Sequence, residues 1–305
     1  MEHRLGTILT GTYEGNLAWS ATNTPNTLLD RFYTVYDRCF VLEDEKEPYA
    51  GFVEVLRLNH GAKHRVWRHL FGPFQEWIVL LEHEGAPIAG ANFMANLLPG
   101  SLGKPDVVSI QLNYAFVDSG KRCNGMLRKM IAIIHEIVAH TADGLETLVF
   151  LEMNDPLKMS CDRLAMDFHF TQTDPVDRMM IWSKVGMSIV DFPYVQPALM
   201  QHLSDEHDLV LGVIAKSGAI DPLHLMQHLE RFFTLSVLKG RQNEHPVCVA
   251  DQLDLCRQLT HPIGKIDLQP HASILRSRVH QRMLYSYDNV DGKGIVDWLK
   301  SQLNQ

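Results

Sequence analysis

The chain has 305 residues, of which 46% are hydrophobic and 21% are charged. These proportions are typical of a globular protein that buries a core, and they exclude disordered and fibrous classes. Lys and Arg number 28 against 36 Asp and Glu, so the formal net charge at pH 7 is −8. Since an acidic chain repels nucleic-acid phosphates, we expect no nucleic-acid partner, although a local basic pocket for one small anion is still allowed.

The cysteines and the hydrophobic pattern bear on compartment and membrane association. The 5 cysteines are scattered and form no CxxC pair, which favours neither a disulfide framework nor a cysteine zinc cluster. The N-terminal residues lack the charged and then apolar pattern of a signal peptide. No window reaches about 18 apolar residues without a charge. We therefore expect a cytoplasmic protein with no membrane partner.

Two helices and a hairpin are predicted in the first hundred residues. Apolar residues recur at three- and four-residue steps over 26–40, which predicts an amphipathic helix, and a second helix is predicted over 48–58. The apolar runs at 77–82 and 87–97 flank a short polar turn at residues 83–86. This arrangement predicts a β-hairpin with one buried face.

A strand–helix–strand unit follows the hairpin. Residues 107–117 are rich in β-branched and aromatic side chains, 124–139 have strong helical periodicity, and 145–153 form a second apolar run. Such a unit favours parallel or mixed pairing of its two strands. The predicted class is therefore α/β (α+β), with a central mixed twisted sheet flanked by helices.

The last third of the chain changes character. A helix is predicted over 175–185 and strands over 188–195 and 208–215, and the later segments are helical, at 222–238, 246–259 and 295–303. We place a boundary near residue 217. It separates a domain at residues 1–216 from a mainly helical C-terminal extension at 217–305, for which dimerisation or a lid is a hypothesis.

The junction between the strand ending at Val117 and the following helix carries the clearest chemical signal. Free backbone N–H groups and the dipole at a helix start form an anion site. Lys121 and Arg122 add positive charge there, and Gly125 allows an anion to approach the backbone closely. An ordinary surface turn with solvated cations is the alternative, and the local residues do not decide between the two.

The segments 115–118 and 122–127 resemble the coenzyme A pyrophosphate loop of the GNAT acyltransferase superfamily. The pattern of that family is a strand, then Arg or Gln-x-x-Gly-x-Gly or Ala, and then a helix. Residues 149–154 resemble the next strand of the family, and residues 182–187 resemble the end of a later helix. The resemblance extends over about residues 26–215.

The resemblance implies an acyl-CoA-dependent N-acyltransferase. Acetyl-CoA or another acyl-CoA would be the co-substrate, and an amine would be the acceptor. Backbone N–H groups of residues 123–127 would hold the pyrophosphate, and the main chain of residues 116–117 would pair with the pantetheine arm. The implied cofactor-binding residues are Phe116, Val117, Arg122, Cys123, Asn124, Gly125, Met126, Leu127, Asn154 and Trp182.

An attacking amine must lose a proton, and a strand-end carboxylate is a suitable base. Glu152 is the candidate base, and Tyr114 and Tyr194 are candidate acids. A salt-bridged Glu152 and tyrosines that only pack are the structural alternatives. Acceptor contacts are expected from Trp182 and Tyr194 and from residues of the first helices, namely Arg31, Tyr33, Glu43 and Glu47.

Two residues depart from the family pattern and keep another function open. Leu127 stands where the family has Gly or Ala, and Trp182 stands where many members have a Tyr that protonates the departing thiolate. An indole N–H is a donor but no useful acid. The alternative function is therefore a catalytically silent GNAT-like module that binds an acyl-CoA or a partner protein. A homodimer is possible in either case.

A third function, that of a metal-dependent hydrolase, is disfavoured by histidine spacing. His135 and His140 are five residues apart, as are His64 and His69. Side chains at that spacing point about 140° apart on a regular helix, so they do not share one metal ion. We predict no metal site, and we expect these histidines to be surface or packing residues.

Overall fold

The computed structural model describes residues 8–13, 16–40, 46–101, 103–122, 125–142, 144–198, 204–241, 246–260, 264–269 and 294–303. Contacts divide the chain into two compact units. The first contains Met1–Leu148 and Arg231–Glu244, and the second contains Val149–Glu230 and His245–Gln305. The two units divide between residues 148 and 149, and residues 231–244 belong to the first unit. The predicted boundary near residue 217 stays a prediction.

The first unit is built on an antiparallel sheet. Its strands lie in the order β1-β2-β3-β4-β5. They are β1 (Ile8–Tyr13), β2 (Leu17–Thr22), β3 (Phe74–His83), β4 (Ala86–Leu98) and β5 (Val107–Val117). Its helices are α1 (Thr27–Cys39), α2 (Tyr49–Arg57), α3 (Gly61–Phe71) and α4 (Met126–Ala142). The strands β1 and β2 and the helix α3 were not predicted.

The predicted hairpin is formed by β3 and β4. Its two-residue turn places Glu84 at φ 52° and Gly85 at φ 79°, the left-handed conformation that matches the twist of antiparallel strands. Further along β4, the pairing with β5 shifts between Asn92 and Phe93, so that Asn113 is an extra residue on β5. Such a β-bulge re-aims side chains locally.

The core of the first unit lies between the first helices and the sheet. Asn26 begins α1, and its side-chain oxygen accepts a hydrogen bond of 2.9 Å from the backbone N–H of Leu28. The buried face of α1 and α2 packs on β3 and β5 in one hydrophobic cluster. Its members are Leu28, Leu29, Phe32, Val35, Tyr36, Phe52, Leu56, Ile78, Leu80 and Phe116. Elsewhere on the sheet, α4 packs against β4 and β5.

The second unit also has an antiparallel sheet, with the order β6-β8-β7-β10-β9. Its strands are β6 (Glu146–Asn154), β7 (Met187–Val190), β8 (Leu209–Ile214), β9 (Ala219–Ile220) and β10 (Ile266–Gln269). Its helices are α5 (Cys161–Thr171), α6 (Pro175–Ser183), α7 (Pro222–Arg231), α8 (Val247–Leu259) and α9 (Ile295–Leu303). A π-helix at Phe232–Val237 follows α7 along the chain and belongs to the first unit. The strands β9 and β10 and the helix α5 were not predicted.

The α/β class is confirmed, with sheet strands flanked by helices and a mainly helical C-terminal portion among the described residues. The start of α9 shows how that portion docks in the second unit. The backbone N–H of Ile295 lies 3.1 and 2.9 Å from the two carboxylate oxygens of Asp155, which is 1% exposed. Burial raises the pKa of Asp155, and these backbone hydrogen bonds lower it. In the described part of the chain, no helix has the length and apolar character needed to cross a bilayer.

The packing of α1 on the sheet requires a glycine at position 90. A Cβ atom there would lie 2.5 Å from the ring of Phe116 and 3.1 Å from that of Phe32. We expect Gly90→Ala to lower the free energy of unfolding by about 1–3 kcal/mol, because overpacking forces the rings apart. Denaturant unfolding checks this, with Gly218→Ala as control, since nothing lies within 4 Å of that added Cβ. Equal effects of both substitutions would contradict this packing.

Candidate active site

The turn after β5 is ordered by its own first residue. The carboxylate of Asp118 accepts a hydrogen bond of 3.0 Å from the N–H of Gly120, within a 3-10 turn at Ser119–Lys121. Lys121 and Arg122 are both exposed. The Nε atom of Arg122 is 3.5 Å from the carbonyl oxygen of Val117, which is half-buried. Two cations are therefore available to solvent at this turn.

The helix α4 starts at a glycine with positive φ. Gly125 has φ 68°, and a Cβ there would meet nothing within 4 Å. The N–H of Lys129 donates to the Gly125 carbonyl over 3.1 Å, so the helix begins at this glycine. Met126 is buried and Leu127 is half-buried. The predicted cradle residues Cys123 and Asn124 lie outside the described residues, so the anion site stays a prediction.

The side chains at the end of β5 pack in an aromatic cluster. The ring of Tyr114 lies edge-on to Tyr36, Phe40 and Phe52, at centroid distances of 5.1, 5.3 and 5.7 Å. Phe116 is 7% exposed and belongs to the same cluster. This packing positions the Tyr114 ring, and the acid role expected of its hydroxyl stays a prediction. The role expected of Phe116 belongs to its main chain, which this packing does not test.

In the second unit, Glu152 on β6 accepts a hydrogen bond from the hydroxyl of Tyr194. Glu152 is half-buried, and Tyr194 is 3% exposed. Burial raises the pKa of Glu152 to about 7, while the hydrogen bond from Tyr194 lowers it. Burial and the adjacent negative charge of Glu152 raise the pKa of Tyr194 well above its usual value. A carboxyl that titrates near neutral pH is thus held by a tyrosine that stays protonated.

A helix beyond residue 217 fixes the segment that carries Tyr194. The side chain of Gln252 on α8 is 5% exposed. Its Oε1 accepts from the N–H of Val195 over 3.0 Å, and its Nε2 donates to the carbonyls of Val195 and Cys248 over 2.8 and 2.9 Å. The sequence analysis missed Gln252. The one sequence feature that could have indicated it is its position as a polar residue among the regularly spaced apolar residues Val249, Leu253 and Cys256.

Asn154 and Trp182 lie in the second unit and are half-buried. Asn154 is the last residue of β6 and pairs with Leu209 on β8. Trp182 lies in the last turn of α6, and its carbonyl accepts the N–H of Val185 over 3.0 Å. The cofactor contacts expected of both residues stay predictions.

The charged acceptor candidates of the first unit already have partners. Arg31 donates to Glu82, and Glu47 pairs with Lys239 over 3.0 Å. Tyr33 is part of the aromatic packing, and Glu43 lies outside the described residues. The acceptor contacts expected of Arg31, Tyr33 and Glu47 stay predictions.

The described residues include no group of three or more His, Cys, Asp or Glu side chains that could hold a metal ion. His64 is a packing residue: it is 3% exposed, and its Nδ1 lies 3.0 Å from the Leu58 carbonyl oxygen. His135 lies 3.2 Å from the Thr147 hydroxyl, and His140 is exposed.

The sequence analysis also missed a buried carboxyl in the first unit. Glu76 on β3 is 3% exposed and accepts hydrogen bonds of 2.6 and 2.9 Å from the side-chain amides of Asn92 and Asn113. Burial raises the pKa of Glu76 to about 7, and the two amides lower it. The alternation of polar residues along β4 and β5 was the sequence feature that could have indicated this group of buried polar side chains.

The raised pKa of Glu152 predicts a pH-dependent stability. Ionising this carboxyl costs more in the folded protein than in the unfolded chain, so its contribution to stability falls as pH rises from about 4.5 to about 7. We expect Glu152→Gln to gain stability relative to the wild type across that window. Tyr194→Phe removes the hydrogen bond and should move the upper edge of the window to higher pH. Denaturant unfolding at a series of pH values checks both, and parallel curves for all three proteins would contradict the raised pKa.

No protein-family model matches the sequence, and no curated protein matches it significantly. Solved structures do match. A protein from Desulfovibrio desulfuricans, described as an acetyltransferase of the GNAT family, is 15% identical over 66% of this chain and 99% of that one, with a TM-score of 0.36. The ribosomal-protein-S18-alanine N-acetyltransferase of Escherichia coli is 13% identical over 66% and 96% of the two chains, with a TM-score of 0.35. NAA60 of Arabidopsis thaliana, solved with acetyl-CoA, is 12% identical over 66% and 98%, with a TM-score of 0.37.

Proposed function

We propose that the chain is an acyl-CoA-dependent N-acyltransferase that moves an acyl group to an amine by direct attack. The observation that carries this proposal is the contact between the Glu152 carboxyl and the Tyr194 hydroxyl. A carboxyl whose pKa is about 7 is divided between its two protonation states at neutral pH. This is the property that a general base requires in order to take up a proton and release it again.

Acetyl-CoA, when bound, supplies the acyl group as a thioester. Glu152 in its ionised form takes the proton that the amine loses during attack. Tyr194 passes its own proton to the departing sulfur and receives one from Glu152 in the same step, because its raised pKa disfavours a free tyrosinate. The net transfer is one proton from nitrogen to sulfur, and both residues are restored.

We assign the pyrophosphate of the co-substrate to the turn before α4. The exposed cations Lys121 and Arg122 and the open, positive-φ Gly125 at the helix start fit a phosphate group. We keep the main chain of Phe116 and Val117 as the contacts of the pantetheine arm.

The alternative is a module that binds an acyl-CoA without transferring the acyl group. It is motivated by Leu127 in place of a small residue and by Trp182 in place of the acidic Tyr of the family. In the proposed mechanism Tyr194 takes the role that Trp182 cannot fill. Both functions therefore require co-substrate binding, and only the transferase function requires turnover.

Binding is tested by thermal unfolding of the full chain with acetyl-CoA and with longer acyl-CoAs. A co-substrate that binds the folded protein raises the melting temperature with concentration. We expect Arg122→Glu to abolish this rise, since a carboxylate at that position repels phosphate. Arg65→Glu makes the same charge change at an exposed position of α3 and should keep the rise. An undiminished rise in Arg122→Glu would remove the proposed phosphate site.

Turnover is tested by thiol release from acetyl-CoA in the presence of a panel of amines. We expect Glu152→Gln to lower kcat by about 10²- to 10⁴-fold, because general base catalysis is lost. The melting-temperature rise with acetyl-CoA should persist in that variant. The wild-type rate should increase with pH up to an apparent pKa of about 7. A melting-temperature rise without thiol release in the wild type would establish the silent binding module instead.

A further inference from the structure

One face of the sheet in the first unit carries polar side chains although it is buried. Glu76 on β3 stands opposite Met94 on β4, and Met94 stands opposite Gln111 on β5. Asn96 and Asn92 flank Met94 on the same face of β4 by alternation. We call this set, which consists of Glu76, Asn92, Asn96, Gln111 and the bulge residue Asn113, the amide cluster.

Part of the amide cluster satisfies its own hydrogen bonds. The Nδ2 atoms of Asn92 and Asn113 both donate to Oε1 of Glu76, over 2.6 and 2.9 Å. Asn113 also lies 3.2 Å from Oδ1 of Asn92. Both amide donors are therefore directed at one carboxylate oxygen.

The rest of the amide cluster is unsatisfied. Asn96 and Gln111 are both 0% exposed, and neither amide atom of either side chain has a hydrogen-bond partner within the described part of the chain. An unsatisfied buried polar group costs about 1–3 kcal/mol. Since buried polar groups in folded proteins are almost always hydrogen-bonded, two adjacent unpaired amides indicate a polar occupant.

The charges around the amide cluster favour a cationic occupant. Lys239 is 4% exposed and pairs with Glu47 over 3.0 Å. The charges of Lys239 and Glu47 both influence the pKa of Glu76. When Glu76, Glu47 and Lys239 are all ionised, their charges add up to −1, from two carboxylates and one ammonium. One added ammonium group would neutralise it.

A C-terminal segment contacts this face of the sheet at Met94. The Ser236 hydroxyl lies 3.6 Å from the sulfur of Met94, within the π-helix at Phe232–Val237. Arg231 anchors the start of that segment, donating to the Phe71 carbonyl over 3.1 and 2.8 Å. π-Helical turns occur frequently at functional sites. The cover is thus held by specific polar contacts within the first unit.

We propose that the amide cluster binds a small ammonium compound that carries hydroxyl groups. Its ammonium group is balanced by Glu76, and its hydroxyls pair with the amides of Asn96 and Gln111. This binding does not depend on the proposed function.

The test uses three probes of equal size, without any CoA. They are 2-amino-1,3-propanediol, glycerol, which has a hydroxyl in place of the amine, and 3-aminopentane, which has methyl groups in place of both hydroxyls. Side-chain amide signals of Asn96 and Gln111 are followed by NMR in the ¹⁵N-labelled full chain. We expect the aminodiol to shift both signals at about tenfold lower concentration than either control, because only it satisfies both the charge and the amides.

Substitutions test whether the aminodiol binds at the amide cluster. Gln111→Met should weaken aminodiol binding about tenfold and leave the melting temperature unchanged or higher, since an unpaired buried amide is removed. Gln75→Met is the matched control, because Gln75 is also buried with an unpaired Oε1 but points to the other face of β3. Glu76→Gln should remove the preference for aminodiol over glycerol, and this variant decides the test if Gln111→Met does not fold.

Two outcomes would overturn the proposal. One is the absence of any preference for the aminodiol in the wild type, as expected if only water occupies the cluster. The other is equal aminodiol binding by Gln111→Met, or by Glu76→Gln, and the wild type. Thiol release is measured separately, so a chain that binds the aminodiol without releasing thiol keeps this site and loses the transferase assignment.

Discussion

The proposed mechanism depends on a single hydrogen bond, from the Tyr194 hydroxyl to the Glu152 carboxylate. Burial raises the pKa of that carboxyl, and the hydrogen bond from the tyrosine lowers it by stabilising the ionised form. The result is a proton acceptor and a proton donor in contact. Everything else in the proposed mechanism depends on this pair being held in place.

The C-terminal portion of the chain is part of both units, although the sequence analysis treated it as an appendage. Gln252 on α8 holds the backbone beside Tyr194, and Asp155 receives the N-terminus of α9. In the first unit, Arg231 and Lys239 join the same portion to Phe71 and Glu47. These contacts link residues that are far apart in sequence, so no local sequence pattern predicts them.

The elements that were predicted are those whose side chains follow one strong periodicity. The hairpin of β3 and β4, the strand β5 and the helix α4 have long apolar patterns, and their positions agree with the structure within a few residues. The strands β1 and β2 were missed because small and polar residues interrupt their alternation. The helix α3 was missed because only one of its residues, His64, is buried, so it lacks an apolar face.

The candidate site was predictable only in part, because the contacts between its residues depend on tertiary structure. A carboxylate at the end of an apolar strand pointed to Glu152, but its pairing with Tyr194 depends on tertiary structure. Asn92 and Asn96 on β4, with Gln111 on β5, follow a period-two pattern that usually marks a solvent-facing side of a sheet. Here that side is buried, because Ile78 and Leu80 on the same face of β3 pack against α1 and α2, and Ser236 contacts Met94.

The amide cluster and the Glu152–Tyr194 pair share one feature, a carboxyl made titratable near neutrality by burial and tuned by neutral donors. In the first unit the donors are two asparagine amides, and in the second unit the donor is a tyrosine hydroxyl. Such groups are costly to bury and are concentrated at functional sites in proteins.

The most direct measurement is a ¹³C NMR titration of the Glu152 side-chain carboxyl in the full chain and in Tyr194→Phe. The account predicts an apparent pKa of about 7 in the wild type and a higher value in the variant, because the stabilising hydrogen bond is lost. A wild-type value near 4.5, unchanged by the substitution, would contradict it.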